Sequence, residues 1–167
     1  MRGCWVAGLG MALAVAGAAG AAPAFDARHA ADVAGVVTAN GASGALKTGS
    51  DGKTYFEGQA GQLYFDVNFQ DCDAGRTTCG TMVFTGSWNA KTITPEQVNR
   101  WNRWTLFCPA YLETGGAPDV WYSLAVSEHT DQDDVAAAVG TWMGCLKDFD
   151  SFVSSPDDFL KRNASQP

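Results

Sequence analysis

The stretch "QLYFDVNFQDCDAGRTTCGTMVFTGSW", residues 62–88, leaves the chain little freedom. Leu63, Phe65, Val67 and Phe69 alternate with Tyr64, Asp66 and Asn68, and Met82, Phe84 and Trp88 repeat the pattern after a loop. A period of two is a strand with one buried face. The loop is flanked by Cys72 and Cys79, so the two runs are expected to pair antiparallel. A sheet that is apolar on one side must then be covered by something.

The cover is legible as helices. "TITPEQVNRWNRW" carries Thr94 as N-cap, Pro95 at the first helical position and Gln97 to complete a capping box. In the segment after Thr130, which is expected to cap, Asp131, Asp133 and Asp134 load a first turn where the helix dipole favours negative charge. Val135, Val139, Trp142, Leu146, Phe149 and Val153 then form one apolar stripe. An earlier helix is expected from a cap at Asp26, through Val33, Val36 and Val37, to a stop at Gly41. Asp51-Gly52 marks a hairpin turn. "PAYLETGGAPDVWYSLAV" reads as two strands around Gly115-Gly116, with Val120, Tyr122, Leu124 and Val126 on one face. The expected fold is α+β: an antiparallel sheet of about five strands covered by helices, in the order α-β-β-β-α-β-β-α.

The first residues are not expected to belong to that domain. Arg2 is followed by an apolar run from about Trp5 to Ala19, then by Ala19-Gly20-Ala21 and Ala22-Pro23-Ala24. This is the order of a cleaved secretory signal over residues 1–24. The run is short of the roughly 20 residues a membrane span requires. A single domain over 25–155 and a polar tail over 156–167 are expected to remain. Of the 11 basic side chains only Arg2 goes with the leader, leaving 10 against 18 acidic ones. Nucleic-acid binders leave a basic footprint, and this balance excludes one.

Cysteine usage agrees with export to the periplasm or beyond. Cys4 lies in the leader; Cys72, Cys79, Cys108 and Cys145 remain, an even number that reads as two disulfides. A hairpin bridge Cys72–Cys79 is the natural pairing, and Cys108–Cys145 follows by elimination. Loop-closure arithmetic makes them worth about 2.5 and about 4 kcal/mol. A zinc site would need Cys-x-x-Cys pairs or clustered histidines, and neither is present.

"NRWNRW", residues 99–104, doubles one tripeptide. On a helix the repeat makes three neighbouring ridges of Asn, Arg and Trp. Val98, Trp101 and Thr105 fall on the expected inward face, which makes Trp101 a core residue. The arginines face outward, with Glu96 and Arg100 as an i, i+4 pair. Asn is a poor helix former, so Asn99 and Asn102 suggest hydrogen bonds to loop or strand backbone.

Catalytic chemistry finds little support. His29 and His129 are the only histidines, and neither has a second ligand at i+4. Ser127-Glu128-His129 is contiguous, whereas triads are assembled in space. "DQDD" lacks the glycine and distal glutamate of a calcium loop. No cofactor is expected.

The stretch "VNRWNRWTLFCPAYLE" resembles the signature of the YbjN domain family: an Asn-x-Trp-Asn helix, an Arg-Phe pair, and a strand ending in an acid. Asn99, Trp101, Asn102, Phe107, Tyr111, Leu112 and Glu113 match. "DGKTYFEG", the cysteine-flanked hairpin and the Phe-rich "DFDSFV" are similar too, so the resemblance spans roughly residues 27–155. Leu106 stands where the pattern has the arginine, and Cys108 where it has a glycine. The resemblance implies a fold like that of type III secretion chaperones, a sheet with helices that often dimerises. It also implies a loosely described role in sensory transduction, with no enzymatic activity attached. Three readings follow: an exported module that binds a protein or peptide, a structural envelope protein without a discrete ligand, and an unrecognised hydrolase or redox protein. An exposed apolar patch would favour the first.

Overall fold

The computed structural model describes residues 24–163. The expected leader lies outside the described residues apart from Ala24. The elements are α1 (Ala30–Ala39), β1 (Ser43–Thr48), β2 (Thr54–Ala60), β3 (Leu63–Cys72), β4 (Cys79–Ser87), α2 (Pro95–Trp104), β5 (Ala110–Leu112), β6 (Pro118–Ala125), α3 (Gln132–Ser154) and α4 (Pro156–Asn163). The strands form one antiparallel sheet in the order β1-β2-β3-β4-β6-β5. Class and helix placement are as expected, with one strand and one helix more.

The extra strand is β1. It is exposed along its whole length and carries no burial alternation, which is why pattern alone does not separate it from the hairpin turn. The turn itself is as read: Gly49 N–H donates to Lys53 C=O at 2.8 Å, and Gly52 takes a φ of 73°. The extra helix is α4, which replaces the expected polar tail. Phe159 and Leu160 are buried, and Phe159 stacks on Trp104 and Trp101 at ring distances of 4.9 and 5.6 Å. Two apolar residues among charges are too few to announce themselves; a preformed aromatic cleft decides their burial.

One face of the sheet is the core. Phe56, Phe65, Val67, Phe69, Met82, Phe84 and Val120 are buried there against α1 and α3. Trp142 of α3 packs between Phe65 and Phe84, at 6.0 and 5.7 Å. Gly58 is needed beside them, because a Cβ at that position would lie 2.6 Å from the Phe65 ring. The α3 stripe is as expected, except that Phe152 rather than Val153 is its buried end.

Helix ends follow local hydrogen-bond accounting. Thr94 caps α2 with the full capping box. For α3 the cap is Asp131, not Thr130: its carboxylate accepts from Asp133 and Asp134 N–H, both at 2.9 Å. Thr130 Oγ1 is already accepting from Ser127 N–H. Helix α1 begins later than expected, with His29 at the N-cap. Asp26 instead accepts from Arg28, through its backbone N–H and its guanidinium, at 2.8 to 2.9 Å. Gly41, with φ 98°, ends α1: Gly41 N–H reaches Thr38 C=O and Ala42 N–H reaches Val37 C=O.

Cys72 is bonded to Cys79 across directly paired positions of β3 and β4. Cys108, buried between α2 and β5, is bonded to Cys145 of α3. The second bond ties the helical cover to the loop that launches β5.

Candidate functional site

The family-motif residues divide into two groups once the fold is built. Trp101 is fully buried and packs on Trp104, Phe149, Phe152 and Phe159 at 4.9 to 5.6 Å. Its Nε1–H donates to Cys108 C=O at 2.8 Å. Asn102 clamps one residue of an edge strand: Nδ2 donates to Ala110 C=O at 2.9 Å, and Oδ1 accepts from Ala110 N–H at 2.7 Å. Its amide thus stands in for a neighbouring strand and blocks that edge against further pairing. Asn99 faces solvent. Arg100 reaches Asp157 of α4 at 4.0 Å rather than the expected Glu96. Half of the doubled tripeptide is therefore scaffold.

Phe107 and Tyr111 are the other group. The turn after α2 presents Leu106 at 89 % exposure and Phe107 at 65 %, and Tyr111 on β5 is 42 % exposed. These are three of the most exposed large apolar side chains in the described structure, and they cluster on one short segment. The segment is anchored at both ends: by Trp101 and Asn102 on one side, and on the other by Cys108, whose N–H approaches Thr105 Oγ1 at 3.4 Å. Leu106 was legible only as a departure from the family pattern; its exposure was not.

Beyond Tyr111 the sheet turns a second face away from the core. Strand alternation places Tyr55, Glu57, Tyr64, Asp66, Asn68, Thr85, Trp121 and Asp119 on it. Asn68 Nδ2 donates to Thr85 Oγ1 at 3.2 Å. Burial, and then the nearby Glu57 charge, push the Asp66 carboxyl above its usual range. At the β6 end, Asp119 lies in one row between Ser87 of β4 and Tyr111 of β5. It is only 8 % exposed, and its Oδ1 is enclosed without a hydrogen-bond partner. Burial dominates and raises the Asp119 carboxyl; Ser87 and Tyr111 oppose the shift, and Glu113 adds to it. Tyr111 is itself pushed up to about 12 by burial and by Asp119 and Glu113. In the sequence Tyr111 and Glu113 stand out as motif matches, whereas Asp119 is one acid in "PDVWYSLAV" and gives no hint of burial.

The chain belongs to the YbjN family. The match to the family model, described as "Putative bacterial sensory transduction regulator", covers residues 29–154. No curated protein and no solved structure matches the chain. Within this YbjN domain the other chemistry-bearing groups have local uses. Ser127 Oγ accepts from His129 N–H in a turn, and His129 lies 3.7 Å from Glu128 on the surface. His29 faces Asp26 and Asp32 at 3.9 and 3.7 Å. A concavity of about 720 Å³ lies between the β1–β2 turn and the disulfide-closed loop. Its charged groups already have partners: Asp51 with Lys53, Asp73 with Thr77, Asp71 with Thr81, and Arg76 with Asp51 C=O. Among the described residues no group of three or more His, Cys, Asp or Glu side chains could hold a metal ion, and no helix is long and apolar enough to cross a membrane.

Proposed function

We propose that this YbjN protein is an exported, non-enzymatic module that docks a protein or peptide partner on the Leu106–Phe107 turn and the adjoining edge at Tyr111. One observation carries the reading: two adjacent, strongly exposed apolar side chains are held on a segment that the rest of the fold works to keep rigid. Exposed apolar clusters on soluble domains mark partner sites. Ordering the segment in advance lowers the entropic cost of association. The two disulfides and the apolar leader of residues 1–24 support an oxidising compartment, periplasmic or external. The family description, a sensory-transduction regulator, is compatible with a module that acts by binding.

The test is site-specific photo-crosslinking in cells. A photoreactive residue at Leu106 or Phe107 is expected to give a discrete protein adduct, and one at Gln70, exposed on β3, is not. Equal labelling at all three positions, or none at Leu106 and Phe107, overturns the reading. Fractionation with N-terminal sequencing checks export: the expected product is soluble and begins at Phe25, and an intact Met1 species in the membrane refutes it.

A further inference from the structure

We infer that the free edge of β1 pairs with the β1 edge of a second copy of this chain, antiparallel across a two-fold axis at Ala45. The inference goes beyond the docking reading and uses the opposite edge of the sheet.

The fold treats its two edges differently. At β5, three residues long, the Asn102 amide occupies both backbone groups of Ala110. Strand β1 is six residues long and exposed throughout, and its sequence "SGALKT" has no proline and a single charge, Lys47. Native sheets guard such edges, because a row of unpaired N–H and C=O groups is a template for another strand. The β1–β2 hairpin fixes which groups are unpaired. Gly49 N–H donates to Lys53 C=O, so by antiparallel alternation Lys47, Ala45 and Ser43 bond to β2. Gly44, Leu46 and Thr48 therefore direct their backbone groups outward.

Side chains then select the occupant. Leu46 lies opposite Phe56 on the core side of the sheet and is 37 % exposed. Gly44 shares that side and has no room for a side chain of its own: a Cβ there would lie 2.7 Å from the Phe56 ring. Leu46 is thus a knob and Gly44 a gap, on the same strand. Antiparallel pairing centred on Ala45 sets Leu46 of each copy opposite Gly44 of the other. Both residues point their backbone groups outward, so the ladder hydrogen bonds form in that register. Leu46 of the second copy then enters the open groove of about 570 Å³ between α1 and β1, whose walls include Ala31, Gly35, Thr38 and Phe56. A surface that carries a knob and its gap about one point is complementary to itself, the condition for a two-fold interface. An unrelated extended peptide would satisfy the backbone groups alone. Charge agrees. On the other face Ala45 meets Ala45 and Lys47 meets Ser43, so no like charges stand opposite. For a chain of net charge −7 this matters, because neither β1 nor the groove wall carries an acid that would repel a second copy.

Sedimentation of the oxidised, exported protein tests this. A concentration-dependent monomer–dimer equilibrium is expected. Leu46→Lys, which drives a charge into the neutral groove, is expected to weaken it at least about tenfold. Leu46→Pro removes the knob and an outward N–H that the monomer does not use, and is expected to do the same. A photoreactive leucine analogue at position 46 keeps the native shape. In a mixture of heavy-isotope-labelled and unlabelled protein it is expected to give an adduct between copies, with its partner peptide in α1 or β1. A monomer at every concentration overturns the inference, as does a dimer that withstands both substitutions. A dimer lost instead in Phe107→Ser puts self-association at the other edge and also overturns it. In cells, an adduct of position 46 to a different protein in place of a second copy overturns self-pairing, and leaves the docking reading to its own crosslinks at Leu106 and Phe107.

Discussion

Two fully buried tryptophans differ in one hydrogen bond, and that difference can be measured. Trp101 and Trp142 are both inaccessible to solvent. Trp101 Nε1–H donates to Cys108 C=O at 2.8 Å, whereas Trp142 Nε1 is buried without a partner. Replacing either by Phe removes a similar volume and leaves a similar cavity. Trp101→Phe also strips the Cys108 carbonyl of its donor, at a cost of about 1–3 kcal/mol. Trp142→Phe instead removes a buried donor that was already unsatisfied, which offsets part of its cavity cost. Trp101→Phe is therefore expected to be the more destabilising by about 2 kcal/mol, several degrees in Tm for a domain of this size. Urea melts of the oxidised protein with the m-value held constant measure the difference. Trp101→Ala gives the upper bound, about 3–5 kcal/mol. Equal costs for the two Phe variants, or a larger one at Trp142, would refute the claim that the α2–β5 hydrogen bond secures the docking segment.

Asn102→Ala is expected to lose about 1–3 kcal/mol, because it frees both backbone groups of Ala110, and to raise self-association at that edge; melts and light scattering check both. Arg100→Ala and Arg103→Ala are each expected to stay within about 1 kcal/mol of the parent in the same melts, since the Arg100–Asp157 contact at 4.0 Å is solvent-exposed. Non-reducing peptide mapping is expected to return only the Cys72–Cys79 and Cys108–Cys145 crosslinks, and free thiols at all four positions would undo the argument for an oxidising compartment. The raised Asp119 carboxyl binds its proton more tightly in the folded state, so its contribution to stability is full below the ordinary carboxylate pKa and is lost as pH rises through the shifted value. Asp119→Asn is accordingly expected to melt higher than the parent at pH 7 and like it near pH 3; the reverse order at pH 7 refutes the assignment. Asp26, held well below the usual range mainly by hydrogen bonds from Arg28, behaves oppositely. Its contribution is present above the ordinary pKa and fades as pH falls through the lowered one, so Asp26→Asn is expected to matter at pH 6 and not in strong acid.

Sequence and structure divide the protein along a physical line. Whatever depends on near neighbours in the chain was legible beforehand. The β3 and β4 alternation sets which side chains face the core, because successive residues of a strand point to opposite faces. The Thr94-Pro95-Gln97 start of α2 and the Asp51-Gly52 and Gly115-Gly116 turns follow from local hydrogen bonding and backbone sterics. The inward place of Trp101 follows from helical spacing, and the family from the order of these pieces. What tertiary structure alone decided depends on residues far apart in sequence. Helix α4 is held where Trp101 and Trp104 of α2 form a cleft for Phe159. Leu106 and Phe107 look like any apolar pair until the turn after α2 is seen to point them outward. Asp119 looks like an ordinary strand-end acid until Ser87, Tyr111 and Glu113 converge on it from two other strands and the following turn. Burial and desolvation are properties of an assembled surface, and no local pattern carries them.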